Sequence, residues 1–405
     1  MNVLVVSSRF PWPAYSGDRL RATVWLDALA HANVALVAPD GGAGFQPVPS
    51  AGWKPAPHRF YPAKRSLTRG VRGIIRTFTE RLPWQSLLAA PYAWDDAIAR
   101  ARRDFGSFDA TVIILSRLHP WIRATEGTRI LDAIDSLARN MHERARAASS
   151  FTRWLWRAEE RRTADAERAM ENAYDHILFV SEDESGARGI AISNGVKVRP
   201  LEQGERRYDF GFWGRLAYFA NADAAQWLVD EIWPAVRAIK PDATMVVAGA
   251  HASRKLERAA RRAGITFLSP ADDVPTLARE VKVAILPLRF GSGESTKMLE
   301  AAEAGCAVVT TSRGARSLSE LAKHAVVAED AATIAREAVN LLTKSNGAEL
   351  RRVVMERYSR ETTLAKLAAV AERRLPAGRS AAFQAAGKDA SGPAGWKPAL
   401  RRSSS

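Results

Sequence analysis

Short runs of consecutive apolar residues alternate with longer amphipathic stretches along most of this chain. Val3-Leu4-Val5-Val6 opens the series, and Leu20, Val24, Leu26, Leu29 and Ala30 then recur at helical spacing. Further strands are predicted at 33–37, 111–115, 129–133 and 176–180. A strand with one wet face alternates polar and apolar residues. These runs do not, so both faces must be covered, as in a parallel sheet between two layers of helix. A second series begins near Asp209, with strands at 209–213, 244–248, 265–268, 281–286 and 307–310 and helices at 222–233, 252–263 and 296–304. The fold class that follows is α/β, with two doubly wound, Rossmann-like domains facing each other across a cleft. Ligands of such sheets bind beyond the carboxyl ends of the strands, which puts the cleft at the loops after each strand.

Ser193-Asn194-Gly195-Val196 reads as a turn closing the first domain, which gives 1–200 and 201–345 for the two domains. Helical patterns at 331–343 and 349–374 end the folded part, with 346–375 as closing helices. The segment 376–405 is rich in Ala, Gly, Ser and Arg and is expected to be a disordered basic tail. Ala-Gly-Trp-Lys-Pro-Ala occurs at 51–56 and again at 394–399, without a period that would build a repeat fold, and both copies are expected in exposed loops.

Composition excludes several classes. The 405 residues are 47% hydrophobic and 25% charged, a globular mix. One cysteine, Cys306, excludes a disulfide framework and a cysteine-built metal site, and fits a reducing compartment. No apolar run reaches the roughly 18–20 residues that span a bilayer. The apolar start meets Arg9 too soon for a signal peptide. A soluble, cytoplasmic protein is expected.

The densest local signal is Arg289-Phe290-Gly291-Ser292-Gly293-Glu294-Ser295-Thr296-Lys297, which follows a predicted strand and opens a predicted helix. Glycines let backbone approach a ligand closely, and the free N–H groups at a helix start attract phosphate. Lys297 falls on the first helical turn, where its ammonium can meet a diphosphate. Glu300, three residues on, shares that face and can accept from ribose hydroxyls. An ordinary strand-to-helix loop with a solvated Lys and Glu is the plainer alternative.

This stretch resembles the donor-site signature of GT-B fold glycosyltransferases, the retaining family-four type that builds bacterial polysaccharides. The resemblance runs over about 1–374 through ordered motifs. Phe10-Pro11-Trp12-Pro13, with Ser16-Gly17-Asp18-Arg19 and Arg21, is similar to the family's first glycine-containing loop. Ser193-Asn194-Gly195-Val196 resembles its inter-domain junction. Gly214-Arg215-Leu216, Asn221 and Val246-Val247-Ala248-Gly249 resemble the opening of its donor domain. The resemblance implies that 1–200 serves the acceptor and 201–345 the nucleotide-sugar donor.

It also implies that Glu300 binds ribose and that Gly17, Gly291, Ser292, Gly293, Ser295 and Thr296 line the donor phosphates. Arg215 and Lys297 would stabilise the departing diphosphate. Two positions depart from the family's common pattern. Ser292 stands where a glutamate is frequent, and no lysine follows Gly214-Arg215 between Ala217 and Asn221. A subgroup with Gly-Ser-Gly loops and an Asn in that region shares both features. The fold requires no cofactor and no metal, and no cluster of Asp or His suggests one. Asp132, Asp135 and His119, at or after predicted strand ends, are candidates for acceptor contact and catalysis. The plainer alternative for Asp135-Ser136 is a helix N-cap. The expected partners are a nucleotide-sugar donor and a lipid-linked or oligosaccharide acceptor. A nucleotide-sugar epimerase of the same fold, or a non-catalytic nucleotide-sugar-binding protein, are the alternatives.

The formal charge is +15. Lys64, Arg65, Arg69, Arg72, Arg76 and Arg81 interleave with Leu67, Val71, Ile74, Ile75 and Phe78, and Arg139, Arg144, Arg146, Arg153 and Arg157 accompany Phe151, Trp154, Leu155 and Trp156. Basic amphipathic helices with tryptophan can lie on an anionic leaflet, and a peripheral position on the inner face of the membrane is one expectation. An inward-packed apolar face with solvated arginines is the alternative. Nucleic acid is not expected, since no reading module is present and acidic residues are interspersed.

Overall fold

The computed structural model describes residues 1–14, 16–40, 59–122, 125–186, 189–201, 204–271, 273–291 and 293–372. Both hexapeptide copies, the segment beyond 372 and Ser292 lie outside the described residues. The first lobe contains β1 (Asn2–Ser7), α1 (Gly17–Ala28), β2 (Asn33–Pro39), β3 (Arg59–Ala63), α2 (Leu67–Thr79) and α3 (Trp94–Phe105). It continues through β4 (Ala110–Ile114), β5 (Thr128–Ile134), α4 (Leu137–Ala147), α5 (Ser150–Met170), β6 (His176–Phe179), α6 (Glu182–Ser185) and β7 (Ile190–Ala191). Its seven parallel strands run in the order β3-β2-β1-β4-β5-β6-β7. Alternate residues of β1 supply the two cores: Val3 and Val5 meet Val24 and Trp25 of α1, while Leu4 and Val6 meet Trp94 and Ile98 of α3. Such a strand has no wet face, which is why its sequence shows no alternation.

The second lobe contains β8 (Tyr208–Trp213), α7 (Phe219–Trp227), α8 (Trp233–Ile239), β9 (Met245–Ala248), α9 (Arg254–Arg262), β10 (Thr266–Leu268) and α10 (Val274–Arg279). There follow β11 (Val281–Leu286), α11 (Thr296–Glu303), β12 (Ala307–Thr310), α12 (Ser312–Ala315), α13 (Ser319–Ala322), β13 (Val326–Val327) and α14 (Ala331–Leu341). Its six parallel strands run in the order β10-β9-β8-β11-β12-β13. In both sheets the connections diverge between the first and fourth strands, at β1/β4 and at β8/β11. That point leaves a crevice beyond the strand ends.

One expectation is corrected. The predicted helix 349–374 is two helices, α15 (Gly347–Arg357) and α16 (Arg360–Ala371). The inter-lobe linker crosses the break: Val196 N donates to Tyr358 O at 2.9 Å and Arg360 N donates to Val196 O at 2.8 Å. These are groups that a continuous helix would spend on itself. Ser359 Oγ then accepts from Thr362 N at 3.2 Å and caps α16. Leu367, Val370 and Ala371 return α16 to the first lobe, where they join the core beneath α1.

Candidate functional site

The elbow between β11 and α11 faces the first lobe. Its glycines are required by the backbone: Gly291 has φ 121° and Gly293 φ 74°, conformations that favour glycine. Ser295 precedes the helix, and its N–H donates to Ser317 Oγ at 3.0 Å. Ser295 Oγ has no hydrogen-bond partner among the described residues although it is shielded from solvent.

From the first turn of α11 the half-buried Lys297 reaches back to the end of β8. A Cβ at Gly214 would stand 2.5 Å from Lys297 Cε and 3.1 Å from its Nζ, so a side chain there would displace the lysine. Asn221 Nδ2 lies 3.2 Å from the same point and donates to Arg215 O at 2.9 Å, tying the Gly214-Arg215 turn to α7. Loss of water around Lys297 lowers its pKa, and the charge of Glu300 opposes that change. Arg215 itself is exposed at the turn.

The two glutamates of α11 differ in kind. Glu303 is buried and paired with Arg279 at 2.7 Å, which is a structural role. Glu300 is half-buried and accepts one hydrogen bond, from Trp213 Nε1 at 2.8 Å; burial raises its pKa. Glu300 and Thr296 line a cavity with Leu20, Asn194, Glu294 and Arg360, so this face of α11 opens between the lobes.

Opposite stands the first lobe. Ile134, a β-branched residue at the end of β5, has φ 68°, a strained geometry that turns the chain sharply. Asp135 follows it and approaches the elbow: its Oδ2 is 3.7 Å from where a Cβ of Gly293 would be. Burial pushes the Asp135 carboxyl up to about 7, with Glu184 adding to the rise and Arg117 opposing it. The N-cap of α4 is Ser136, whose Oγ accepts from Arg139 N at 3.2 Å, and Asp135 is left free of that duty.

Several groups join the lobes around this point. The Glu184 carboxylate accepts from Gly293 N at 2.9 Å and from Ser136 N at 3.1 Å, linking the elbow to the start of α4. Glu143 pairs with Arg313 at 2.6 Å and Asp183 with Arg316 at 3.0 Å. Arg316 also donates to Gly291 O at 3.2 Å, and Asn194 N donates to Glu294 Oε2 at 3.1 Å. Gly17 starts α1 on the same side, where an added Cβ would meet open space.

The remaining candidates go elsewhere. Asp132, expected as an acceptor contact, is fully buried and accepts from Arg21 Nε and Trp25 Nε1, both at 2.6 Å; it holds α1 on the sheet. His119 sits in the turn 116–121 with its Nδ1 2.9 Å from the Tyr174 hydroxyl, and burial lowers its pKa. The structure thus brings Gly291, Gly293, Ser295, Thr296, Lys297, Glu300 and Asp135 together, places Gly17 and Arg215 on the rim, and holds His119 against Tyr174. Sequence reasoning missed Glu184 and Glu294. Glu294 lay within the quoted motif, whereas Glu184 carried no signal. Among the described residues, no three His, Cys, Asp or Glu side chains assemble as a metal would require.

Residues 207–344 match the family model of the glycosyl transferases group 1. Solved structures share the fold over both lobes. A variant of S. aureus TarM, in complex with fondaparinux, alpha-GlcNAc-glycerol and UDP, superposes with a TM-score of 0.61 at 9% identity, covering 91% of this chain and 99% of that one. Anabaena HepE, in complex with UDP and glucose, gives 0.59 at 12% identity over 92% and 100%. WaaG, a glycosyltransferase involved in lipopolysaccharide biosynthesis, gives 0.51 at 16% over 92% and 98%. No curated protein matches the chain.

Proposed function

We propose that this glycosyltransferase, a GT-B fold enzyme with a group 1 domain at 207–344, moves a sugar from a nucleotide-diphosphate donor onto a polysaccharide or glycolipid precursor, with retention. The observation that carries this reading is Lys297 and Glu300 one turn apart on α11, Lys297 against the Gly214 turn and Glu300 lining the inter-lobe cavity, behind a glycine elbow that meets Asp135 of the other lobe. The donor diphosphate lies along the elbow and the first turn of α11, beside the Lys297 ammonium. Its ribose meets Glu300 Oε1, since the other oxygen already serves Trp213. The sugar then points toward Asp135.

Breaking the sugar–phosphate bond builds negative charge on the leaving diphosphate. A fixed ammonium and helix-start N–H dipoles stabilise that charge without rearranging. Lys297 suits the task because burial has already removed part of its water shell, so its charge acts through a weakly screening medium. It also occupies the space beside Gly214-Arg215, where a lysine of the turn itself is absent. Arg215, on the exposed rim, contributes once the donor is in place. An acceptor hydroxyl attacking on the face the diphosphate leaves can give its proton to the departing oxygen, so no strong protein base is needed and no metal or other cofactor enters. HepE with UDP and glucose, and TarM with UDP and alpha-GlcNAc-glycerol, support a nucleotide-sugar donor. The acceptor is lipid-linked or an oligosaccharide, and the enzyme is peripheral on the inner face of the membrane.

Incubation with a panel of nucleotide sugars and a lipid-linked or oligosaccharide acceptor tests the reaction. The expected result is transfer that survives EDTA, giving a product whose anomeric configuration by NMR equals the donor's. Inverted product would refute retention, and epimerised donor without transfer would refute the assignment to transfer.

A further inference from the structure

Helix α2 is built inside out. It packs on the first lobe through its small residues: Gly73 and Thr77 are its buried positions, and a Cβ on Gly73 would stand 2.4 Å from Ala90 Cβ. Its large apolar side chains point away. Leu67, Val71, Ile74, Ile75 and Phe78 are between 50% and 84% exposed. An apolar row of this size facing water marks a contact surface, and for α2 the alternative of an inward-packed apolar face is therefore excluded.

A second exposed apolar group belongs to the same lobe. The turn 84–88 packs α2 on one side and α5 on the other, with Trp84 N donating to Glu159 Oε1 at 2.6 Å and the Arg162 guanidinium 5.4 Å from the Trp84 ring centroid. At the start of α5, Phe151 is 86% and Trp154 67% exposed. Beside them a groove between α4 and α5 is lined by Arg146, Arg153, Arg157 and Arg161, with His142 and Glu160. Arg153, Arg157 and Arg161 follow at four-residue spacing and so share one helix face. The carboxylate present, Glu160, lies 2.9 Å from His142 Nδ1. Among the described residues, neither Arg146 nor Arg157 has a side-chain partner.

Guanidiniums gathered this closely repel one another, and their planar forks fit phosphate oxygens. Exposed Phe and Trp next to them favour the boundary between headgroups and acyl chains. Positive charge and apolar surface on one lobe complement a single environment. We propose that α2 and the tip of the α4–α5 hairpin form the face that lies on an anionic bilayer, with a phospholipid headgroup phosphate seated in the groove against Arg146, Arg153 and Arg157. This rests on the peripheral-membrane reading above and not on the transfer chemistry. The groove also sets a distance. Arg146 is ten residues along α4 from Ser136, the cap next to Asp135, so the cleft stands about 15 Å from the anchoring phosphate along the helix axis.

The test is flotation of the full chain with phosphatidylcholine vesicles, with and without phosphatidylglycerol. The wild type is expected on the anionic vesicles and not on the neutral ones. Removing two groove charges, Arg146→Gln with Arg157→Gln, is expected to weaken binding about thirty-fold. The double change Ile75→Ser with Phe78→Ser is expected to weaken it about tenfold or more. Arg258→Gln with Arg262→Gln removes the same charge from exposed positions on α9 of the other lobe and should change binding by less than about threefold. Nucleoside-diphosphate affinity, read on every variant, should stay at the wild-type value, which shows each variant folded and separates this test from the donor assignment. Equal losses in the groove and α9 variants would overturn the proposal. So would binding indifferent to phosphatidylglycerol, or an α2 variant that floats like the wild type. Inorganic pyrophosphate stabilising the wild type with no vesicle binding would also overturn it, in favour of a soluble anion site.

Discussion

The two walls of the cleft are made in different ways. On the second lobe, one contiguous stretch from Gly291 to Glu300 supplies turn, helix start, ammonium and carboxylate, and its added contact is the neighbouring strand end at Gly214. On the first lobe, the facing surface is gathered from Gly17, Arg117, Asp135 and Glu184, which are far apart in sequence. The second-lobe wall carries a fixed positive charge, whereas the first-lobe wall brings carboxylates together: burial raises the pKa of Asp135 and Glu184 alike. Under the proposed function, the wall for the invariant part of the donor is a local motif, and the wall for sugar and acceptor is shaped by tertiary packing.

The largest expected effect breaks the contrast on its charged side. Lys297→Met keeps the stem but removes the ammonium, and should lower the transfer rate by roughly 10²–10³ while thermal melting shows a folded protein. A rate within threefold of wild type would mean that the second-lobe wall does not stabilise the leaving group. Next comes Glu300→Ala. Loss of a carboxylate hydrogen bond to ribose should weaken nucleoside-diphosphate binding about 10–100-fold by calorimetry, and unchanged affinity would count against the ribose role. Gly214→Ala sharpens the picture further, because its methyl takes the space of Lys297 Cε. It should cost about tenfold in rate and add almost nothing when combined with Lys297→Met, as expected for two changes acting through one side chain. Full additivity would show that Gly214 acts by another route.

These effects bear on how much of the site could be read from the chain. The elbow was legible because its physics is local: glycines where φ is positive, then a helix start with Lys and Glu on one face. The reach of Lys297 to Gly214 was not, since it depends on β8 and β11 being neighbours. Nor was the position of Asp135, which depends on Ile134 at φ 68°, a conformation that no sequence preference would assign to isoleucine. Glu184 sits in a four-residue helix with no periodicity to detect. Ten of the thirteen strands among the described residues were legible as apolar runs, but β3, with Arg59 and Pro62, and the two-residue β7 and β13 are edge strands without such a run. Helix α2 marks a further limit. Periodicity finds an apolar face, but whether that face turns in or out was decided by Gly73 and Thr77, which let the opposite side approach Ala90.

The smallest effect probes the carboxylate wall. The native protein holds a proton on Asp135 up to about pH 7, whereas an unfolded aspartate releases it near pH 4. Between those values the native state binds more protons than the unfolded one, so this group's contribution to stability falls as pH rises. Asp135→Asn, which mimics the protonated form, should raise the melting temperature by about 2 °C at pH 8 and leave it unchanged at pH 4. A gain of the same size at both pH values would show that the carboxyl is not under electrostatic strain.

The most direct measurement of the central claim is a crystal structure of the enzyme soaked with the tightest-binding nucleoside diphosphate from a thermal-shift panel. The account predicts the diphosphate along Gly291–Ser295 within hydrogen-bonding distance of Lys297 Nζ, and the ribose hydroxyls on Glu300. A diphosphate bound away from that elbow, or Glu300 still turned only to Trp213 with the nucleotide in place, would contradict it.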